Sequence, residues 1–209
     1  ACNSHTVFLP DNPDPSLNAF LAPLASIREA DICLVLGDEP IVERAPIVDL
    51  WLRAARRDGS RVVTVGPTGS IKTHPGMAPS VASALASPNP PEELAGIRRD
   101  LRDADRVAII WSEVDPTGGH HVAYLAQSLE LRETPSVYWI PSTPNGRGVA
   151  EAWHKQGERT ESQTLGADAP KVLIVSGDRA ANDAQILEAA EKADFVITIS
   201  MFMSEVASW

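Results

Sequence analysis

The chain has 209 residues, of which 44% are hydrophobic and 22% charged, and its formal net charge is −10 at pH 7. A chain of this size and composition can bury a core without disulfides or metals. The negative charge argues against nucleic acids as partners, because they would be repelled, and no apolar run reaches the roughly 18 residues of a membrane span.

The first half of the chain predicts a β-α-β unit. Ile32–Leu36 is a continuous apolar run that ends at Gly37, which suits a strand covered on both faces. A helix begins at Pro46 and ends before Gly59. Its apolar residues recur at helical spacing: Ile47, Leu50, Trp51, Ala54 and Ala55. The strand Val62–Val65 completes the unit, and its crossover predicts a parallel sheet.

The stretch from Pro67 to Glu92 is rich in proline, and Ser87–Pro91 has the composition of a linker or a domain seam. We therefore predict two lobes, residues 1–90 and residues 91–209.

The second half again alternates strands and helices, beginning with a polar helix near Glu92–Asp103. The predicted strands are Val107–Trp111, Ser136–Ile140, Lys171–Val175 and Phe195–Ile199. One helix is marked by Val122, Leu125, Ala126 and Leu129, and a later one by Ile186, Leu187 and Ala190. Pro141–Gly166 is long and irregular, as functional or disordered connections are. The predicted fold class is α/β, with two Rossmann-like lobes and mainly parallel sheets.

The ends of the first two strands are the candidate ligand site, because ligands of open α/β sheets bind at the carboxyl edge. The candidate cofactor-binding residues there are Gly37, Asp38, Pro40, Gly66 and Pro67.

Charge makes a functional nucleotide site at this edge unfavourable. Asp38, Glu39 and Glu43 crowd the first loop, and only Arg44 offsets them. A phosphate about 4 Å from one carboxylate is penalised by about 1 kcal/mol in water and about 4 kcal/mol at an effective dielectric near 20. The loop also lacks the G-x-G-x-x-G spacing. We interpret the site as vestigial, a polar β-α turn.

Other motifs also favour structural roles. Gly66–Ser70 lacks the spacing of a phosphate-binding loop and suits a turn. His120 and His121 point about 100° apart on a helix, so they do not converge on one metal. Ser112 follows a strand but lacks a G-x-S-x-G elbow. Two cysteines are too few for an iron–sulfur cluster. We predict no catalytic residues and no metal site.

The stretch Ala30–Pro67 resembles the molybdopterin oxidoreductase family. That family shows an apolar strand, G-x-N-P, a downstream proline, a helix with arginine and alanine, a glycine, and a strand ending near Asp-Pro-Arg. The matching residues are Gly37, Pro40, Pro46, Arg53, Ala54 and Gly59. Asn145–Gly148 and Ala193–Val196 resemble the branch formed by the large subunit of bacterial NADH-quinone oxidoreductase.

The resemblance implies a formate-dehydrogenase-like fragment that supports electron transfer from NADH to quinone without catalytic residues of its own. It implies contacts with other subunits of the respiratory complex, in the cytoplasm at the inner face of the membrane. Iron–sulfur clusters would lie elsewhere in the full subunit.

Two departures from the family pattern argue against a bound cofactor. Glu39 replaces the asparagine, and Gly66-Pro67-Thr68 replaces Asp-Pro-Arg, so contacts to the guanosine of a molybdopterin dinucleotide are lost. We expect no cofactor in this chain. The alternatives are a pterin-dinucleotide-binding domain of a molybdenum oxidoreductase and an unrelated nucleotide-binding α/β enzyme.

Overall fold

The computed structural model describes residues 6–8, 15–112, 118–141, 160–162, 171–176 and 184–199. The strands are β1 (Thr6–Phe8), β2 (Ile32–Gly37), β3 (Arg61–Gly66), β4 (Ile71–Lys72), β5 (Val107–Ser112), β6 (Ser136–Trp139), β7 (Thr160–Ser162), β8 (Val172–Ser176) and β9 (Phe195–Ile199). The helices are α1 (Ser26–Glu29), α2 (Ile41–Arg44), α3 (Pro46–Arg57), α4 (Ala78–Ala86), α5 (Glu92–Asp103), α6 (Gly119–Ser128) and α7 (Ala184–Lys192), and a 3-10 helix spans Pro15–Phe20.

The chain divides into two units, one formed by Pro10–Ala152 and the other by Ala1–Leu9 together with Trp153–Trp209. The larger unit contains a five-stranded sheet of order β4-β3-β2-β5-β6, with every pairing parallel. The chain adds β3 and β4 on one side of β2 and then β5 and β6 on the other. The gap between β2 and β5 is therefore a topological switch point. This architecture confirms the predicted α/β Rossmann-like fold with parallel sheets.

Two hydrophobic cores cover the two faces of this sheet. Leu34, Ile109 and Trp111 belong to the first core, with residues of α4, α5 and α6. Cys33 and Ile110 belong to the second, with residues of α1 and α3. Because both faces are covered, successive residues of a central strand are all buried, which explains the continuous apolar runs in the sequence.

Helix α3 lies where the sequence predicts it, but its apolar pattern is misleading. The helix buries Val48, Leu52 and Ala55 against the sheet. Ile47 and Leu50 lie on the opposite side and are 56% and 59% exposed. The helix therefore has apolar residues on its buried face and on its outer face.

The structure divides the chain differently from the predicted boundary at residue 90. Ser87–Pro91 connects α4 to α5 inside the larger unit. Strands from both sides of this connection share one sheet, because β5 pairs with β2 in parallel register. Pro67–Glu92 also contains α4, a helix that the sequence did not predict.

The described residues of the other unit form two pairs of parallel strands, β1 with β7 and β8 with β9. Leu173 and Val175 of β8 pack with Ala189 of α7. Five side chains of β8 and β9 are large, apolar and between 41% and 61% exposed: Val172, Ile174, Phe195, Ile197 and Ile199. Most of the predicted irregular segment Pro141–Gly166 lies outside the described residues.

Candidate functional site

The two candidate glycines meet at the carboxyl edge of the sheet. Gly37 ends β2 and Gly66 ends β3. A Cβ atom on Gly66 would lie 2.0 Å from the carbonyl oxygen of Gly37, and a Cβ atom on Gly37 would lie 2.7 Å from the carbonyl oxygen of Ser112. These glycines permit backbone to pack on backbone at the strand ends, including the switch point between β2 and β5.

Asp38 is engaged by the protein's own backbone. The amide of Gly76 donates to its carboxylate at 2.8 Å and 3.0 Å, to Oδ2 and Oδ1. The amide of Thr73 donates to the carbonyl of Gly66 at 3.3 Å. The segment after β4 is thus tied to the ends of both β2 and β3. Asp38 has a structural role at this edge, which local sequence patterns could not reveal across 38 residues.

The two candidate prolines lie in local turns. The carbonyl of Pro40 accepts a hydrogen bond from the amide of Glu43 at 2.9 Å, at the start of α2. Pro67 begins the turn from β3 to β4, which is closed by the hydroxyl of Ser70 donating to the carbonyl of Thr64 at 3.0 Å. Both motifs form the turns that their residue types favour.

Several buried polar atoms near the sheet have no hydrogen-bond partner among the described residues. They include Oγ of Ser112, Oγ1 of Thr73 and Nη2 of Arg44. Ser112 is only 2% exposed, and the side chain of Arg44 is 8% exposed with its Nε 3.7 Å from the carboxylate of Glu39. Burying a polar group without a partner costs about 1–3 kcal/mol by mutational data. No motif in the sequence points to Thr73.

A serine and a histidine outside the predicted site are in hydrogen-bond contact. Oγ of Ser83 on α4 lies 2.7 Å from Nδ1 of His121 on α6. Burial, and secondarily the charge of His120, lower the pKa of His121. Such a pair is the first requirement of nucleophilic catalysis, but an oxyanion site is the second. Ser83 lies inside α4, whose backbone amides are used by the helix itself, so we interpret the pair as a helix–helix contact.

Cys33 is an inert thiol at the centre of the sheet. It is fully buried, and its Sγ lies 3.5 Å from the carbonyl oxygen of Ile27. Burial raises its pKa to about 12, so the thiolate that nucleophilic chemistry requires is not formed at neutral pH.

The described residues contain neither a cluster of metal ligands nor a helix that could cross a membrane. Within the described ranges, no group of three or more histidine, cysteine, aspartate or glutamate residues is placed to hold a metal ion. In the same part of the chain, no helix is both long and apolar enough to cross a bilayer.

Comparison with known proteins gives a likeness of fold and no match of sequence family. No protein-family model and no curated protein matches the sequence. The fold is similar to a chain of the formyltransferase/hydrolase complex (FhcABCD) from Methylorubrum extorquens, whose crystal structure contains methylofuran. The TM-score is 0.57 and the sequence identity 17%, over 91% of this chain and 64% of that chain. The present chain therefore spans less than two thirds of that neighbour, and the likeness establishes the fold.

The predicted membership of the molybdopterin oxidoreductase family is wrong, and so is the assignment to NADH-quinone oxidoreductase. The structural likeness is to a formyltransferase/hydrolase complex instead. The residues behind the prediction, such as Gly37, Pro46 and Gly59, are a strand end, a helix start and a helix stop, which many β-α-β units require. The respiratory partners and the position at the inner membrane face were implied by that resemblance alone, and they lose their basis with it.

Proposed function

We propose that this chain is a structural component of a multi-subunit enzyme complex of the formyltransferase/hydrolase kind, and that catalysis is performed by other parts of that complex. The likeness over 91% of the chain supports the kind of complex. The observation that supports the non-catalytic role is that residues at the carboxyl edge of the sheet make contacts within the chain.

At that edge the two candidate glycines and Asp38 are engaged in internal contacts, whereas Oγ of Ser112 has no partner among the described residues. The ends of β2 and β3 meet through Gly37 and Gly66, and the carboxylate of Asp38 is bound by the amide of Gly76. Asp38 and Glu39 would also repel an anionic ligand. Two open hollows on the described surface lie elsewhere, one beside α3 and one beside Asp31 and Arg61.

Exposed apolar surface supports the proposed contacts with other subunits. The face of β8 and β9 that carries Ile174, Phe195 and Ile197 is between 41% and 61% exposed. Parallel strands in stable proteins are normally covered on both faces. A neighbouring subunit would supply that cover.

The test is to purify the chain both alone and from its native host by an affinity tag, and to assay formyl transfer and formyl hydrolysis in both samples. We expect activity in the native assembly and none in the isolated chain. Asp38→Asn and Ser112→Ala, placed in the native assembly, should leave kcat and KM unchanged. Activity of the isolated chain, or loss of activity in either variant when the assembly is intact, would refute the structural role.

A native assembly of defined composition that lacks both activities would refute the kind of complex instead. Mass determination of that assembly is therefore part of the same experiment, because it separates a failed purification from an incorrect assignment.

A further inference from the structure

The outer face of α3 carries apolar side chains that the fold does not use. The helix already buries Val48, Leu52 and Ala55 against the sheet. Ile47 and Leu50, one turn apart on the other side, are 56% and 59% exposed. The outer face of a surface helix is normally polar. Adjacent aliphatic side chains there suggest a surface that contacts another molecule.

Arginines follow these apolar residues toward the C-terminal end of α3. Leu50 borders a hollow of about 390 Å³ that is otherwise lined by Arg53, Arg56 and Arg57. Arg53 pairs with Asp49 at 2.7 Å. Among the described residues, Arg56 and Arg57 have no ion-pair partner.

The carboxylate that follows the helix in the sequence is also paired. Asp58, directly after Arg57, accepts a hydrogen bond from Nε of Arg28 at 2.5 Å. Two uncompensated positive charges therefore remain at this face of a chain whose net charge is −10. A local excess of positive charge beside exposed aliphatic groups is complementary to an acidic, partly apolar surface.

We propose that the outer face of α3 is a docking surface for an acidic amphipathic helix of a partner protein. Apolar residues of that helix would contact Ile47 and Leu50, while its carboxylates would pair with Arg56 and Arg57. Guanidinium groups suit this role because they bind carboxylates in bidentate geometry. The inference is independent of the enzyme complex proposed above, because it uses only α3 and the residues beside it.

A protein helix fits this surface better than a polyanion. Nucleic acids and anionic membranes are attracted by extended basic surfaces, whereas a net charge of −10 repels them. Two free arginines can pair with a few carboxylates at close range. Ile47 and Leu50 are three residues apart on α3, so they can pack against apolar residues spaced three and four apart on a second helix.

The test measures binding of a fluorescein-labelled peptide of about five helical turns, with leucines three and four residues apart and glutamates beside them, by anisotropy. A peptide with lysines in place of the glutamates is the charge control. We expect saturable binding of the acidic peptide, weakened by salt, and at least about tenfold weaker binding of the lysine peptide.

The double variant Arg56→Glu/Arg57→Glu should weaken binding of the acidic peptide by at least about tenfold. Its matched control is Arg99→Glu/Arg102→Glu, which makes the same charge change at exposed positions of α5 and should bind like the wild type. Leu50→Ser should also weaken binding, whereas Leu21→Ser, at a 43% exposed position, should not. Circular dichroism and Tm confirm that each variant is folded.

Three results would overturn the proposal: no saturable binding of the acidic peptide, equal binding of both peptides, or equal effects of the α3 and α5 double variants. Vesicles containing phosphatidylserine and a duplex DNA are tested in parallel. Stronger binding of either probe through Arg56 and Arg57 would replace the protein helix with that class of ligand.

Discussion

Two glycines of this chain have opposite surroundings. A Cβ atom on Gly66 would meet the carbonyl oxygen of Gly37 at 2.0 Å, whereas one on Gly96, in α5, would meet nothing within 4 Å. We expect Gly66→Ala to lower the free energy of unfolding by about 3 kcal/mol, because two backbones must separate. Gly96→Ala should raise it by about 0.5–1 kcal/mol, because alanine favours a helix interior. Urea denaturation of both variants checks the pair; equal effects would contradict the close approach of β2 and β3.

His121 should make stability depend on pH. Burial lowers its pKa below the ordinary value of 6.5, so the unfolded chain binds its proton more tightly than the folded chain does. The stability that the neutral form of His121 contributes is fully present above pH 6.5 and is lost as the pH falls below that value. Thermal unfolding of the wild type and His121→Gln across pH 5 to 8 should show a weaker acid-side decline in the variant. His74→Gln, at an exposed position, is the control; an equal change in both variants would exclude His121 as the source.

The connection between α4 and α5 depends on one buried cation. Arg98 is 9% exposed, and its Nη1 donates a hydrogen bond to the carbonyl of Leu85 in the last turn of α4. Such carbonyls lack helical partners, and a cation there is favourable. Arg98→Met should lower the free energy of unfolding by about 2 kcal/mol. Its exposed neighbour gives the control: Arg99→Met should change stability by less than about 0.5 kcal/mol, as chemical denaturation can show.

The elements differ in how well the sequence predicts them. Strands β2 and β5 are correctly predicted because both sides of the sheet are covered, which leaves continuous apolar runs. Helix α4 was missed because its sequence, APSVASALA, is built from small residues between prolines and lacks a long apolar stripe. The outer face of α3 was misread because Ile47 and Leu50 have helical spacing, although Val48 and Leu52 are the buried residues.

The candidate site was less predictable than the fold. Gly37 and Gly66 were correctly placed at strand ends, since small residues and turns mark those ends in the sequence. The hydrogen bond between Asp38 and Gly76, and the buried hydroxyls of Ser112 and Thr73, depend on how distant segments meet. A single sequence contains no periodic signal for such contacts.

At the scale of the whole molecule, the larger unit should fold without the rest of the chain. Its five strands and both of the cores that cover the sheet lie between residues 17 and 140. We expect a fragment of residues 10–152 to keep its far-UV circular dichroism and to unfold in one cooperative thermal transition. A fragment with helical signal but no cooperative transition would show that the other unit is needed for packing.

The buried thiol of Cys33 offers an internal reporter for motions of the sheet centre. The thiol of Cys33 is fully buried and its pKa is about 12. An alkylating reagent can therefore react with it only when β2 separates from the helices that pack on it. In a Cys2→Ser background, the modification rate under native conditions would therefore measure how often that separation occurs. Comparing this rate with global unfolding would show whether the strand beside the switch point opens by itself or only when the entire unit unravels.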